Sequence, residues 1–283
     1  MFYYFSVSGI SICLDIPFPV KISAESVPFL QQSKPEHTDV TVSVTPVAFL
    51  PKPPESAIYE SGTYFSGMSV FYCDHPEDDP YARLTADPAS DTLMLEYRSE
   101  FENRFTTSHG IINHMGLETL LLMQRVLLLH SSFIRLNSGY GILFSAPSGT
   151  GKSTQAALWH KHRQADIING DRAGLCKTGN SWTAWGLPYA GTSGIYRNES
   201  APIQAIVCLR QSKENVIRRL KSSEAMRYLY PELTLHRWEP ASVETAMDLL
   251  MNLVSEVPVF LLECRPDEEA VAVLEQALKE VFQ

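Results

Sequence analysis

One stretch of the chain combines small residues, a lysine and a hydroxyl group at the spacing of a phosphate-binding loop. An apolar segment at 141–145 is followed by a small-residue loop at 146–150 and then by Gly151, Lys152 and Ser153. Glycines let the backbone curl so that successive N–H groups point at phosphate oxygens, and the following helix adds its positive end. Lys152 is expected to neutralise the β- and γ-phosphates, and the Ser153 hydroxyl to bind Mg²⁺. The predicted nucleotide site consists of Ser148, Gly149, Thr150, Gly151, Lys152, Ser153 and Thr154.

The loop departs from the usual pattern at its first position, where Ala146 stands in place of a glycine. The alternative interpretation is a turn of Gly, Ser and Thr that only joins a strand to a helix. An apolar strand before the loop and a helical sequence at 154–159 are the context that the phosphate-loop motif requires. The sequence therefore predicts nucleotide binding here.

Two ionisable residues lie near this loop in the chain. His130 belongs to the apolar segment 126–134, which precedes the phosphate-loop strand and is expected to be its hairpin partner or near neighbour. Asp171 follows the short apolar segment 165–169, where an acid can hold Mg²⁺ through water or accept a proton from a hydroxyl group. From the residues alone, a core histidine with a backbone partner and a turn-capping aspartate both stay open as alternatives.

A third candidate is Arg197, which follows the glycine- and hydroxyl-rich loop 190–194. Such a loop is typical of a lid that presents an arginine to phosphate. An ordinary surface loop with a solvated arginine is the alternative, and the sequence does not decide between the two.

Composition limits the classes of protein to be considered. A chain of 283 residues with 45% hydrophobic content can bury one large core or two smaller ones, and its net charge of −9 argues against a general nucleic-acid or anionic-membrane binder. Five scattered cysteines without a Cys-x-x-Cys pair are typical of reduced thiols in the cytosol. The N-terminus lacks the basic segment of a signal peptide, and the apolar run 120–129 is too short to span a bilayer. We expect a cytoplasmic protein without nucleic-acid or membrane partners.

Hydrophobic patterning divides the chain into two regions. Residues 1–106 are rich in predicted strands, among them the strictly alternating segment 39–44, and are expected to serve as a scaffold or as a surface for substrate or partner. Residues 107–283 alternate helical and strand patterns, beginning with one predicted helix at 109–125. The predicted fold class is α/β, a mixed sheet with helices that is preceded by a smaller β-rich N-terminal region.

Three features in this order resemble the C-terminal catalytic domain of HPr kinase/phosphorylase. They are Leu-His-Ser at 129–131, the phosphate loop at 146–153 and Gly-Asp-Arg at 170–172. With the segments 185–189 and 205–209, the chain looks more like the HPr-kinase-related group found beside peptide-modification genes.

The resemblance covers roughly residues 108–265. It implies the fold shared with phosphoenolpyruvate carboxykinase, ATP and Mg²⁺ as cofactors, and phosphoryl transfer to a hydroxyl group. Some members of that group phosphorylate serine hydroxyls on peptides.

The resemblance also implies roles for individual residues. Asp171 would receive the acceptor proton and share the metal with Ser153, His130 would hold or tune that carboxylate through a hydrogen bond, and Lys152 would neutralise phosphate charge. Arg197 would contact the transferred phosphoryl group. The chain departs from HPr kinases at Gly170, which replaces the first of two adjacent acids, and it lacks the Glu-Ile-Arg-Gly signature. The single carboxylate argues against a strong phosphorylase activity, and the missing signature argues against HPr itself as the substrate.

The sequence therefore predicts an ATP- and Mg²⁺-dependent kinase that phosphorylates a hydroxyl group, with serine on a peptide or protein as the expected acceptor. Two alternatives stay open: a kinase for a small molecule such as free serine or a sugar-like alcohol, and a non-catalytic nucleotide-binding regulatory module. Homo-oligomerisation is open as well.

Overall fold

A computed structural model describes residues 1–60, 62–86, 90–189, 191–237 and 239–282. The chain divides into two compact units, Met1–Leu120 and Leu121–Gln283. Strands dominate the first unit and strands alternate with helices in the second, so the predicted α/β class with a β-rich N-terminal part is confirmed. The predicted boundary between residues 106 and 107 separates a scaffold or partner surface from a catalytic domain, and this assignment of functions stays a prediction.

In its described residues the first unit is built on one eight-stranded sheet, ordered β1-β2-β3-β8-β7-β6-β5-β4. Its strands are β1 Phe2–Val7, β2 Ile10–Asp15, β3 Val40–Val47, β4 Ile58–Glu60, β5 Thr63–Ser66, β6 Ser69–Tyr72, β7 Ala82–Ala86 and β8 Thr92–Arg98. Strand β3 pairs in parallel with β2 and β8. Its alternating pattern buries Val40, Val42 and Val44, as the period of two predicts.

Two short helices, α1 Ser108–His114 and α2 Leu117–Met123, replace the single helix predicted at 109–125. The Thr107 hydroxyl caps α1 by accepting a hydrogen bond from the Gly110 amide at 3.1 Å. The break falls at Gly116, whose φ of +59° lies in the left-handed region. The prediction of one helix was wrong because this glycine turns the chain instead of continuing the helix.

The second unit contains the phosphate-loop segment. Its strands are β9 Leu127–Arg135, β10 Gly141–Ser145, β11 Asp166–Asn169, β12 Arg172–Thr178, β13 Ser181–Gly186, β14 Ser200–Gln211, β15 Val216–Arg219 and β16 Val259–Cys264. Its helices are α3 Lys152–Arg163, α4 Ser222–Leu229, α5 Pro240–Glu256 and α6 Glu268–Phe282. Across the sheet the strands run β10-β9-β12-β13-β14-β16-β15, while β11 pairs with β9 and β10 also pairs with β14. The predicted pairing of the two strands around the turn at 136–140 is confirmed as an antiparallel β9–β10 hairpin.

Strand β10 runs through the core of this unit. Ile142 and Phe144 belong to one buried cluster with Trp159 of α3, whereas Leu143 belongs to a second cluster with Leu250 of α5. Helices therefore cover both faces of the strand, which explains why its sequence is continuously apolar.

Strands β10, β14 and β16 are mutually parallel, so their carboxyl ends lie at one edge of the sheet. The phosphate-loop segment leaves this edge directly after Ser145. Ligands of open α/β sheets bind in the crevice outside the carboxyl ends of parallel strands, so this edge is where a site is expected. No helix within the described ranges is both long enough and apolar enough to cross a membrane.

Candidate active site

The phosphate-loop segment joins β10 to α3, as the motif predicts. Gly149 has a φ of +78° and Gly151 a φ of +122°, and both values lie in the region that favours glycine. No heavy atom lies within 4 Å of a Cβ built on either glycine, so these positions need glycine for its backbone conformation. Gly151 is the N-cap of α3 and no side chain caps the helix, which leaves its first amides to an anionic ligand.

Lys152 lies beneath this loop, where its side chain is 7% exposed. Its Nζ donates hydrogen bonds to the carbonyl oxygens of Ala146 at 2.7 Å and Pro147 at 3.4 Å. Burial lowers the pKa of Lys152, and the negative charges of Glu232 and Asp171 act in the opposite direction. Two carboxylates therefore act on the lysine that is predicted to neutralise phosphate.

The structure brings His130 and Asp171 together next to the phosphate-loop strand. Strands β9 and β12 place Arg172 opposite His130, and the Ser145 hydroxyl, at the end of β10, donates to the His130 carbonyl at 3.1 Å. The Nε2 atom of His130 lies 3.9 Å from Oδ1 of Asp171. This separation is longer than a hydrogen bond, so the hydrogen bond predicted between the two side chains is not formed.

Asn169, not Asp171, caps the turn between β11 and β12. The buried Asn169 carboxamide accepts hydrogen bonds from the amides of Asp171 at 2.9 Å and Arg172 at 3.0 Å. It donates to the carbonyl oxygens of Leu187 and Tyr189 at 2.9 Å and 2.8 Å. The Asp171 carboxylate is therefore directed at His130 and at Nε of Arg172, which lies 3.5 Å away.

Two glycines fix the surroundings of Asp171. A Cβ added to Gly170 would lie 2.5 Å from Cβ of Ser193 and still closer to its hydroxyl oxygen. A Cβ added to Gly191 would lie 2.8 Å from Cβ and Cγ of Asp171. The turn Gly191–Ser193 thus packs directly on the aspartate, which explains why the residue before Asp171 has no side chain.

Glu232 joins this group, although no sequence motif indicates it. Its Oε2 accepts a hydrogen bond from Nδ1 of His130 at 3.0 Å, and its side chain is only 10% exposed. The two residues are 102 positions apart in the chain. His130 therefore contacts a carboxylate on each side, and its imidazole is not satisfied by the backbone as the core-histidine alternative requires.

Arg197 is not brought to the phosphate loop. Its Nη1 lies 3.7 Å from Asp166 Oδ1 and 3.8 Å from Glu199 Oε1. Asp166 and Gly141 both pair with the same residue of β9. The cluster formed by Arg197, Asp166 and Glu199 therefore lies beside the first residue of β10. Ser145 is four residues further along the strand, a distance of about 13 Å. Its predicted contact with a phosphoryl group stays a prediction, and Ala190 of the predicted lid lies outside the described residues.

Cavities adjoin the loop on both sides. One of about 610 Å³ extends from the loop to the residues that end α4 and the turn after it, with Arg227 and Glu232 on its wall. The other, of about 390 Å³, extends towards the end of β16. The Gln211 side chain lines both and donates to the carbonyl oxygens of Gly149 and Thr150 at 3.3 Å and 3.4 Å. The loop is therefore flanked by two open clefts.

The residues of the site are compatible with ATP and Mg²⁺. Lys152 and the uncapped helix α3 suit the phosphates, while Ser153, which is exposed, and Asp171 offer the oxygen ligands that Mg²⁺ prefers. In the part of the chain that the structure describes, no three or more His, Cys, Asp or Glu residues form a metal-binding cluster. Two protein ligands accord with Mg²⁺ held largely by substrate phosphates and water.

No family model matches the sequence, and no curated protein matches it. Among solved structures, the chain is similar to the HPr(Ser) kinase/phosphatase from Coxiella burnetii over 55% of its own length and 99% of that chain. The TM-score is 0.33 and the sequence identity 10%. A TM-score this low supports no conclusion about fold or activity, so function is inferred from the site itself.

Proposed function

We propose that this protein is an ATP- and Mg²⁺-dependent kinase that transfers the γ-phosphoryl group to a hydroxyl, with serine on a peptide or protein as acceptor. One observation carries the proposal: the Asp171 carboxylate, held beside His130, lies at the sheet edge where the phosphate loop opens. Binding of a nucleotide with Mg²⁺ also uses a carboxylate, but a carboxylate held beside a histidine is in addition suited to accept a proton from a hydroxyl group. Its presence favours a reaction over simple binding.

The proposed reaction is an in-line displacement. The acceptor hydroxyl gives its proton to Asp171 while its oxygen forms a bond to the γ-phosphorus, and the bond between that phosphorus and the β–γ bridging oxygen breaks to release ADP. Lys152 and the amides at the start of α3 bind the phosphates and offset their charge. Mg²⁺, held by Ser153 and Asp171, would add further neutralisation of the phosphate oxygens. Most of the catalysis then comes from positioning and charge neutralisation.

Transfer from γ-labelled ATP tests the proposal. Purified protein with Mg²⁺ would be incubated with a cell extract that is separated into small molecules and proteins. We expect label in the protein fraction, loss of transfer in Asp171→Asn with ATP binding retained, and loss of both in Lys152→Ala. Asp248→Asn, an exposed acid on α5, is the matched control and should behave like the natural chain.

The alternatives predict different outcomes of the same experiment. Label in the small-molecule fraction would identify a small-molecule kinase. A regulatory module would bind ATP without transferring label to either fraction, and its regulatory function would be unaffected by Asp171→Asn. The cytoplasmic location, the absence of nucleic-acid and membrane partners, and homo-oligomerisation stay predictions.

A further inference from the structure

Glu232 is an acid in an unusual position, because it is mostly buried and bonded to a histidine. Its side chain is 10% exposed, and its Oε2 lies 3.0 Å from Nδ1 of His130. Removing a carboxylate from water is costly unless hydrogen bonds compensate for the loss. Its placement next to His130 is therefore a specific feature of the fold rather than a solvated surface charge.

The turn that carries Glu232 is fixed at several points. Nη2 of Arg237 donates hydrogen bonds to the carbonyl oxygens of Tyr230, Pro231 and Leu233 at 3.1, 3.0 and 3.1 Å. These bonds hold the single helical turn Tyr230–Glu232 in place. One guanidinium group therefore defines the backbone from which the carboxylate projects.

The same segment is attached to the strand that carries His130. Leu233 forms a β-bridge with Leu129, and the Thr234 amide donates to the Leu128 carbonyl at 2.9 Å. Glu232 and His130 are thus held on backbones that are hydrogen-bonded to each other. Their contact does not depend on a flexible loop.

The contact determines which nitrogen of His130 carries a proton. An ionised carboxylate only accepts hydrogen bonds, so Nδ1 of His130 must be the donor to Glu232. The other nitrogen, Nε2, faces Oδ1 of Asp171 at 3.9 Å and carries a lone pair in the neutral ring, so it is placed to accept a hydrogen bond from the Asp171 carboxyl once that group has taken up a proton. A histidine whose Nδ1–H is held by a carboxylate has a fixed tautomer and a fixed ring orientation.

We propose that Glu232 is a positioning residue, which holds the His130 ring so that Nε2 stays directed at the Asp171 carboxylate. The proposal deepens the proposed kinase function and rests on it for its catalytic consequence. Glu232 lies on the wall of the cleft, but in this role its carboxylate is bonded to His130 rather than to acceptor or phosphate. Its removal takes a negative charge away from Lys152 and should therefore reduce turnover without reducing ATP affinity.

Two substitutions separate orientation from charge. Glutamine keeps an oxygen that accepts from Nδ1–H, whereas alanine leaves the ring without a partner. We expect Glu232→Ala to lower kcat by about 10²-fold, the lower end of the range for general acid–base groups, with KM for ATP unchanged. Glu232→Gln should stay within about tenfold of the natural kcat because the ring is still held. Glu244→Gln, an exposed acid on α5, is the control and should change neither constant.

A measurement without turnover tests the contact independently of the kinase proposal. In ¹⁵N NMR spectra of the protein labelled at histidine, the His130 resonances should indicate a protonated Nδ1 in the natural chain and a changed tautomer population in Glu232→Ala. His130→Gln provides the assignment. If no phosphoryl transfer were found, the kinase proposal would be refuted, but the NMR spectra would still test the contact between Glu232 and His130.

Specific results would overturn the inference. It fails if the His130 resonances are the same in Glu232→Ala and the natural chain, or if Glu232→Ala raises KM for ATP and leaves kcat unchanged. It also fails if Glu232→Gln loses as much turnover as Glu232→Ala while it unfolds at the same temperature as the unsubstituted protein. In that case turnover would depend on the charge of Glu232 rather than on the orientation of the His130 ring.

Discussion

Gly170 offers a direct test of how the fold limits the acids at the site. The acid Asp171 is preceded here by Gly170, which has no side chain. A Cβ at position 170 would lie 2.5 Å from Cβ of Ser193, far inside van der Waals contact. Because the atom met is a Cβ rather than the flexible end of a side chain, the turn Gly191–Ser193 must move to admit even a methyl group.

The magnitude follows from this overlap. Forcing an extra methyl into a packed site costs about 1–3 kcal/mol. For a unit of this size, about 2 kcal/mol corresponds to a fall of about 4–8 °C in the unfolding temperature. We therefore expect Gly170→Ala to unfold at a temperature lower by that amount, and Gly170→Asp to be destabilised at least as much.

A double-mutant cycle identifies the cause. Ser193→Gly alone should cost about 1 kcal/mol, because the Ser193 hydroxyl accepts a hydrogen bond from the Ile195 amide at 3.2 Å. In the Ser193→Gly protein, Gly170→Ala should lower the free energy of unfolding only slightly. The two substitutions should therefore show a favourable coupling free energy of about 1–2 kcal/mol. Thermal and urea unfolding of the full chain would measure it. Additive effects within about 0.5 kcal/mol, or a Gly170→Ala protein as stable as the natural one, would refute the steric explanation.

The loop and the first unit give three further predictions. Lys152→Ala should abolish ATP binding in calorimetry, whereas Lys177→Ala, which removes only an ion pair with a glutamate on α5, should not. Arg227→Ala should weaken ATP binding about tenfold, because Arg227 lines the cleft at the loop and has no ion-pair partner among the described residues. Arg197→Ala should leave ATP binding unchanged, because Arg197 lies against Asp166 and Glu199, and an unchanged affinity in Arg227→Ala would contradict the prediction. Burial lowers the pKa of His114 from 6.5 in the folded protein, so the His114 imidazole is protonated more readily in the unfolded chain. The folded protein should therefore lose stability as the pH falls below about 6.5. Unfolding between pH 7.5 and 5 should therefore show a flatter pH dependence in His114→Gln, and identical slopes would contradict that origin.

Local sequence patterns predicted the backbone structure of the phosphate-loop segment. The strand before the loop, the glycines at positive φ and the helix after it are all set by residues within a short stretch of chain. The β9–β10 hairpin was predictable for the same reason, since a short turn joins two apolar segments. The pair of helices α1 and α2 was not, because the apolar stripe continues through Gly116 and only its positive φ reveals the break.

The acids around His130 show why the rest of the site could not be read from the sequence. Asp171 could be singled out because it follows a short predicted strand near the loop. Glu232 lies in a turn without a motif and reaches His130 only through the bonds that tie residues 233 and 234 to β9. The chain places a glycine against Ser193 and brings a second carboxylate, that of Glu232, to His130 from another part of the fold. The two acids then lie on opposite sides of one imidazole instead of side by side. Because Glu232 is bonded to His130, Asp171 is the carboxylate that the proposed reaction would use as its base.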